Sequence, residues 1–203
     1  MTALNQFMDF TRGRLPGCPE QLMEKAVLEV CIEFCKRTQL LVEAIDIPMV
    51  VGTYQYAVTP TSDLPWDMIQ LRRESLALTP LARLDFLAAR LDVLEGSPQY
   101  YYLEDSGILV VGPIPVAEET LSALVTLRPD DDATTVPDVL FREFRNPIAA
   151  GARAWVRRHH GDWSDSLMEA EDRNLFERAV NNQNSRRARG GVDRPLRVQF
   201  PSF

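Results

Sequence analysis

Residues 121–158 read LSALVTLRPDDDATTVPDVLFREFRNPIAAGARAWVRR, and the spacing of apolar residues changes inside this stretch. Leu121, Ala123, Val125 and Leu127 alternate with Ser122, Leu124 and Thr126, the period of two shown by a strand with one buried face. Beyond Val136-Pro137, Leu140, Phe144, Ile148, Ala152 and Trp155 recur every four or three residues, the period of an amphipathic helix. Pro147 falls inside that helix and is expected to kink or restart it, because it lacks an N–H and crowds the preceding turn. Both periods in one short stretch predict an α+β fold.

Working toward the N-terminus, residues 1–15 show no period and are expected to be loosely structured. Leu15-Pro16-Gly17-Cys18-Pro19 signals a turn, and a helix is predicted from Pro19 to about Arg37. Leu22, Ala26, Val30 and Phe34 form its apolar stripe, widened by Met23, Val27 and Cys31. Glu20 and Glu24 suit its start, and Lys36 and Arg37 its end. After Ile47-Pro48 the pattern turns to strands: Tyr54, Tyr56 and Val58 alternate with polar or small residues, and Met68 to Leu78 is strand-like. Thr79-Pro80 predicts a helix with Leu84, Leu87, Ala88, Leu91 and Leu94 buried and Gly96 at its end. Tyr100–Leu103 and Ile108–Val111 predict a hairpin, turned by Asp105-Ser106-Gly107.

Toward the C-terminus, His159-His160-Gly161 ends the arginine-bearing helix. Asp165 caps a last helix whose apolar face is Met168, Leu175, Phe176 and Ala179, which loosens at Asn181–Asn184 and ends by Gly190-Gly191. The expected organisation is a helical bundle from residues 1–47 and 129–190, an inserted β-rich lobe over 48–128, and an extended tail over 191–203. In that tail Val192, Leu196, Val198, Phe200 and Phe203 are apolar and Arg194 and Arg197 basic. Twelve such residues need another surface to bury them.

The 203 residues are 45% hydrophobic and carry a formal net charge of −7. That suffices for a sizeable core, and the acidic balance argues against a general nucleic-acid binder, which needs basic charge to displace counterions. The most apolar stretch, Ile108–Ala117, is short and broken by Gly112, Pro113 and Pro115, so no membrane span is expected. Met1–Leu15 lacks a secretory apolar region, and three cysteines make no disulfide framework. The expected site of synthesis is therefore the reducing cytoplasm of a host cell.

Several groups invite a chemical role. Cys31 and Cys35 lie one helical turn apart, but a closed zinc site needs four ligands and the other candidates are distant, so the pair is read as buried packing. Asp130-Asp131-Asp132 lacks the alternating ligands and glycine of a calcium loop and is read as a solvated loop before a helix. His159-His160 has no nucleophile elbow, phosphate loop or HExxH pattern beside it, and a helix C-terminus favours histidine by itself. Glu104-Asp105 and Glu118-Glu119 are neighbours in sequence and point to opposite faces of a strand, which leaves no paired-carboxylate geometry. No catalytic, metal or cofactor residue is assigned. Arg142, Arg145, Arg153, Arg157 and Arg158 crowd one helix, and Arg186, Arg187, Arg189, Arg194 and Arg197 the C-terminus. Two readings fit them: a solvated face, or complementarity to an acidic partner or passing DNA.

The order of these elements resembles a known family. The strand Leu121–Arg128, Pro129-Asp130, Val136-Pro137, the helix Phe141-Arg142-Glu143-Phe144 through Trp155-Val156-Arg157-Arg158, the turn Gly161-Asp162-Trp163 and a polar last helix follow one another as in the head–tail adaptors of short-tailed bacteriophages, the group that includes tail tubular protein A. Phe34-Cys35-Lys36-Arg37-Thr38, Tyr100-Tyr101-Tyr102-Leu103 and Leu109-Val110-Val111-Gly112-Pro113-Ile114-Pro115 extend the resemblance over about residues 15–185. It implies a non-enzymatic virion protein without cofactors, a ring of about twelve subunits around the DNA channel at the head–tail neck. The partners it implies are portal on one side and nozzle or tail-fibre proteins on the other, with DNA passing unread and no membrane. It would place Arg194, Leu196, Arg197, Val198, Phe200 and Phe203 against portal. Trp66, Tyr100, Tyr101, Tyr102 and Trp163 are candidate subunit-interface anchors, each equally readable as core. The alternative is another neck, tail-completion or fibre-attachment protein.

Overall fold

The computed structural model describes residues 1–61, 63–74, 76–104 and 107–189. Its α-helices are α1 (Met8–Thr11), α2 (Glu20–Thr38), α3 (Arg83–Ala88), α4 (Asp138–His159) and α5 (Ser166–Ala188). Its strands are β1 (Thr2–Ala3), β2 (Leu41–Pro48), β3 (Gln55–Ala57), β4 (Leu64–Arg73), β5 (Leu76–Ala77), β6 (Thr79–Pro80), β7 (Tyr100–Leu103), β8 (Ile108–Gly112), β9 (Thr120–Arg128) and β10 (Thr135–Val136). The fold is mixed α+β. The chain divides into two compact units: Met1–Ala3 with Cys31–Pro137, and Leu4–Val30 with the chain from Asp138 onward.

The first unit is built on two four-stranded sheets, ordered β2-β9-β4-β5 and β3-β8-β7-β6, with β1 and β10 paired beside them. β9 is central because its inward set, Leu121, Ala123, Val125 and Leu127, is wholly apolar and buried. β2 pairs with it in one unbroken register, Leu41↔Leu127 to Pro48↔Thr120. β4 pairs on its other side with register shifts at Pro65/Asp67, where the proline cannot donate to the ladder, and at Met68/Gln70. One core joins the sheets: Ile47, Met68, Leu71, Leu121, Ala123 and Val125 meet Tyr56, Val58, Tyr101, Leu109 and Val111. The opposite side of β8 is covered as well, since Val110 packs with Phe86 and Leu91.

Three expectations are corrected in this unit. Residues 41–47 form a strand and not the end of the helical segment. Both phases of Val42-Glu43-Ala44-Ile45-Asp46-Ile47 contain apolar residues, and Glu43, which spoils the alternation, is held by the N–H and hydroxyl of Thr61. Thr79-Pro80 does not cap a helix but pairs in parallel with Tyr100 and Tyr101 as β6. The helix that follows has six residues, too short for the 84/87/88/91/94 spacing to share one face. Phe86 and Leu91 are buried, while Leu84 is 80% exposed and Leu87, Ala88 and Leu94 are exposed too. The hairpin Tyr100–Leu103 with Ile108–Gly112 forms as expected. Gly107 supplies a positive φ at its turn, and Asp105 and Ser106 lie outside the described residues.

In the second unit, α4 and α5 pack side by side, joined by the short connection His160–Asp165. Gly151 sits where the backbones approach: a Cβ there would lie 2.7 Å from Val30 and 2.8 Å from Phe176. Ala149, Ala150, Ala152 and Ala154 are buried on either side of it. Asp165 caps α5 as expected, its carboxylate accepting from the N–H groups of Leu167 and Met168 at 3.1 and 3.0 Å. Pro147 does not restart the helix: it lies inside one continuous α4, where burial of Phe144 and Ile148–Ala154 on both sides of it outweighs the proline's cost of ~3 kcal/mol. α5 continues through Asn181–Asn184 and runs to Ala188, as expected of a helix ended by Gly190-Gly191. Residues 4–15 are also more ordered than expected. Short helical turns bury Leu4, Phe7, Met8 and Leu15, and Phe7 meets Phe141 edge-on at 5.1 Å. Turns of three or four residues are too short to leave a period.

Gly112 gives a direct test of the β8 packing. A Cβ on it would lie 2.5 Å from the Phe86 ring and 2.8 Å from the Leu91 carbonyl oxygen. Gly112→Ala is expected to destabilise the protein by about 1–3 kcal/mol in urea denaturation, whereas the same change at Gly13, with open space around it, is expected to cost far less.

Candidate interaction surfaces

The arginine-rich helix α4 divides into two populations. Arg153 and Arg157, one helical turn apart, point inward and converge on Asp172 of α5, whose side chain is 0% exposed. Arg153 donates from Nε to Asp172 Oδ2 at 3.1 Å and from Nη2 to Oδ1 at 2.5 Å, and Arg157 Nη1 donates to Oδ2. Arg14 adds a third guanidinium at 3.8 Å. The remaining donors capture the N-terminal segment: Arg153 Nη1 reaches the Phe10 carbonyl at 2.7 Å, and Arg157 Nη2 the Arg14 carbonyl at 3.0 Å. Trp163 Nε1 takes the Pro16 carbonyl at 3.0 Å. Sequence reasoning grouped these arginines with surface charge and missed the cluster. The signal was Asp172 itself, four residues before Phe176 and eight before Val180, on the buried face of α5, whereas Met168 and Leu175, expected on that face, are exposed.

Arg142, Arg145 and Arg158 are exposed. Arg145 lies over the Phe10 ring at 5.2 Å, and Arg158 pairs with Glu169. His159 binds the Trp155 carbonyl through Nδ1 at 2.9 Å and stacks on its ring, with His160 on the same indole. That places both histidines in an aromatic cluster at the end of a helix. In the Asp130–Asp132 loop, Arg128 grips Asp131 with two hydrogen bonds and holds its carboxyl below the usual range. Glu119 sits 3.3 Å from Arg73, while Glu104 and Arg83 line a cleft of about 420 Å³ with Asp67, Tyr101 and Tyr102. Among the described residues no group of three His, Cys, Asp or Glu has metal-binding geometry.

The candidate anchor residues fall in different settings. Tyr101 belongs to the core between the sheets. Tyr100 and Tyr102 are half-buried against the Phe86 cluster, with Tyr102 edge-on to Phe86 at 5.0 Å. Trp66 is exposed, with Lys36 Nζ 4.0 Å above its ring, and Trp163 is half-buried. Arg194, Leu196, Arg197, Val198, Phe200 and Phe203 lie outside the described residues.

A family model described as SU10 adaptor protein matches residues 17–199. The chain belongs to the SU10 adaptor protein family. No curated protein matches it. The SU10 adaptor family is one of structural phage adaptors, not an enzyme class, so this adaptor is a virion component that works with other virion proteins. No helix among its described residues is long and apolar enough to cross a membrane.

Two measurements probe this chemistry. Asp172→Asn leaves two buried guanidiniums without their counter-charge and is expected to cost about 3–5 kcal/mol in urea denaturation. Burial pushes the Cys31 thiol well up and that of Cys35 to about 12, while Cys18 is only partly buried. A disulfide reagent at neutral pH is therefore expected to titrate one thiol per native chain and three after denaturation.

Proposed function

We propose that this SU10-family adaptor is the head–tail adaptor of a tailed bacteriophage, closing into a ring of about twelve subunits that joins portal to tail and surrounds the DNA channel. The family match over residues 17–199 carries the reading. It is supported by the resemblance to the adaptors of short-tailed phages, in the tail tubular protein A group. The proposed architecture is a helical body with the β-rich segment inserted into it, and with residues 191–203 as a separate extended tail. In this reading Arg194, Leu196, Arg197, Val198, Phe200 and Phe203 contact portal, and exposed or half-buried aromatics such as Trp66, Tyr100, Tyr102 and Trp163 anchor subunit or tail-side contacts. Its work is mechanical: a sealed joint needs large heterologous interfaces, roughly 2,000 Å² or more for an obligate one. DNA passes without base readout.

Mass photometry of the full chain, alone and mixed with the portal protein of the same phage, tests this. The expected result is a ring-sized species, or a ring formed on portal, that is lost when residues 192–203 are deleted if the tail makes the portal contact. A chain that stays monomeric with and without portal at every salt concentration overturns the reading.

A further inference from the structure

At one end of the β-sheet unit three loops are locked into a single platform. Gly52 N–H donates to the Pro115 carbonyl at 2.9 Å, Ile114 N–H to the Leu94 carbonyl at 2.6 Å, and Gly96 N–H to the Ile114 carbonyl at 2.9 Å. The Tyr56 hydroxyl fixes the first loop from beneath. It lies 2.6 Å from the Thr53 carbonyl and 3.2 Å from the Val50 N–H. On this framework Val50, Val51, Val93, Leu94 and Val116 are each between 50% and 55% exposed. Single exposed apolar residues are ordinary, but five on hydrogen-bonded loops make a preorganised apolar surface that loses little entropy on docking.

The charge of the platform loops is acidic, with Arg73 paired to Glu119 and Arg90 just before the second loop as the neighbouring cations. Residues 49–53, 91–96 and 113–119 contain no Lys or Arg, while Asp92, Glu95, Glu118 and Glu119 lie among them, with Glu95 and Glu118 exposed. The whole unit carries seven Lys/Arg against sixteen Asp/Glu, a formal −9. Such a surface repels phosphate, which argues against DNA or an anionic membrane as its occupant.

The complementary chemistry is present on the same chain. α5 buries Asp172, Phe176 and Val180, and a different flank of it is exposed. Met168, Leu175, Arg178, Arg186 and Arg189 follow one another along that flank at spacings near multiples of 3.5 residues, and all five are exposed. The flank carries Met168 and Leu175 in its first half, with Glu171 between them paired to Arg14 at 3.8 Å, and is basic in its second.

We propose that the acid-rimmed apolar platform of one copy docks on the Met168–Arg189 flank of α5 in the next copy. This deepens the ring reading and rests on it: a heterologous ring needs two different, mutually complementary faces on each subunit. Valines and Leu94 meet Met168 and Leu175, and Glu95 and Glu118 meet Arg178 and Arg189.

Size-exclusion chromatography with light scattering on the full chain tests it. Val50→Asp with Val116→Asp is expected to convert wild-type rings to monomers while the melting temperature moves by no more than a few degrees, because both side chains are exposed. Val42→Asp, an exposed valine elsewhere on the same unit, is expected to leave the rings intact. Glu95→Arg with Glu118→Arg is expected to weaken assembly at least tenfold, and adding Arg178→Glu with Arg189→Glu to the same chain is expected to restore it. Rings that persist in the double-aspartate variant, that fail equally with Val42→Asp, or that are not restored by the charge exchange overturn the contact and leave the ring reading standing. A wild-type chain that never assembles overturns both.

Discussion

The helical unit depends on one buried carboxylate. Asp172 is closed off from solvent, and its hydrogen-bonding partners are the guanidiniums of Arg153 and Arg157, which are themselves nearly closed off from water. Among its 23 residues α5 buries only Asp172, Phe176 and Val180. Two apolar side chains contribute about 1.5–3 kcal/mol each, and they alone define a register poorly, since neighbouring registers bury similar area. The ion cluster removes that ambiguity. A shift of one residue turns Asp172 by about 100° away from both arginines and leaves three buried or half-buried charges unmatched. The arginines also spend their spare donors on the carbonyls of Phe10 and Arg14, so the same cluster that sets the α4–α5 register fixes the path of the N-terminal segment.

The sheet unit reaches order by other means. Its core is apolar and shared by two sheets, and β9 supplies the template against which β2 and β4 find their registers. The clean β2 register and the shifted β4 register show where sequence leaves freedom. Proline and charge in β4 go with its irregular pairing, while the apolar Leu121–Leu127 holds β2 in an unbroken register. A formal charge of −9 on this unit works against compaction through self-repulsion, and the continuous core outweighs it.

Where the sequence was legible, one local rule dominated. The alternation of Leu121–Leu127, the Tyr100–Val111 hairpin, the Pro19 helix start and the Asp165 cap each follow from a few adjacent residues, and each is found. Where it was illegible, a distant residue decided. Glu43 hides a strand because its partner, Thr61, is eighteen residues away. Leu84 and Leu87 read as a buried face because nothing nearby reveals that their helix stops after six residues. Arg153 and Arg157 read as surface charge because the carboxylate that removes them from the surface lies on another helix. Pro147 reads as a place to restart the helix because its cost is local and the burial that offsets it is tertiary.

The same division bears on assembly. On the proposed reading, a joint between two larger bodies gains from surfaces that do not rearrange on contact, because each reordered side chain subtracts about 0.5–1.5 kcal/mol from it. The Asp172 cluster and the loop platform under Val50 and Val116 are both rigid by hydrogen bonding and not by packing alone. Directional bonds hold a surface in one shape, where apolar packing would allow it to slide. Burying arginine charge inside one unit while leaving the other acidic also separates the chain's electrostatics. Opposite signs are offered instead by exposed side chains, Arg178 and Arg189 of α5 and Glu95 and Glu118 of the sheet unit, a pairing that suits the heterologous contact proposed above.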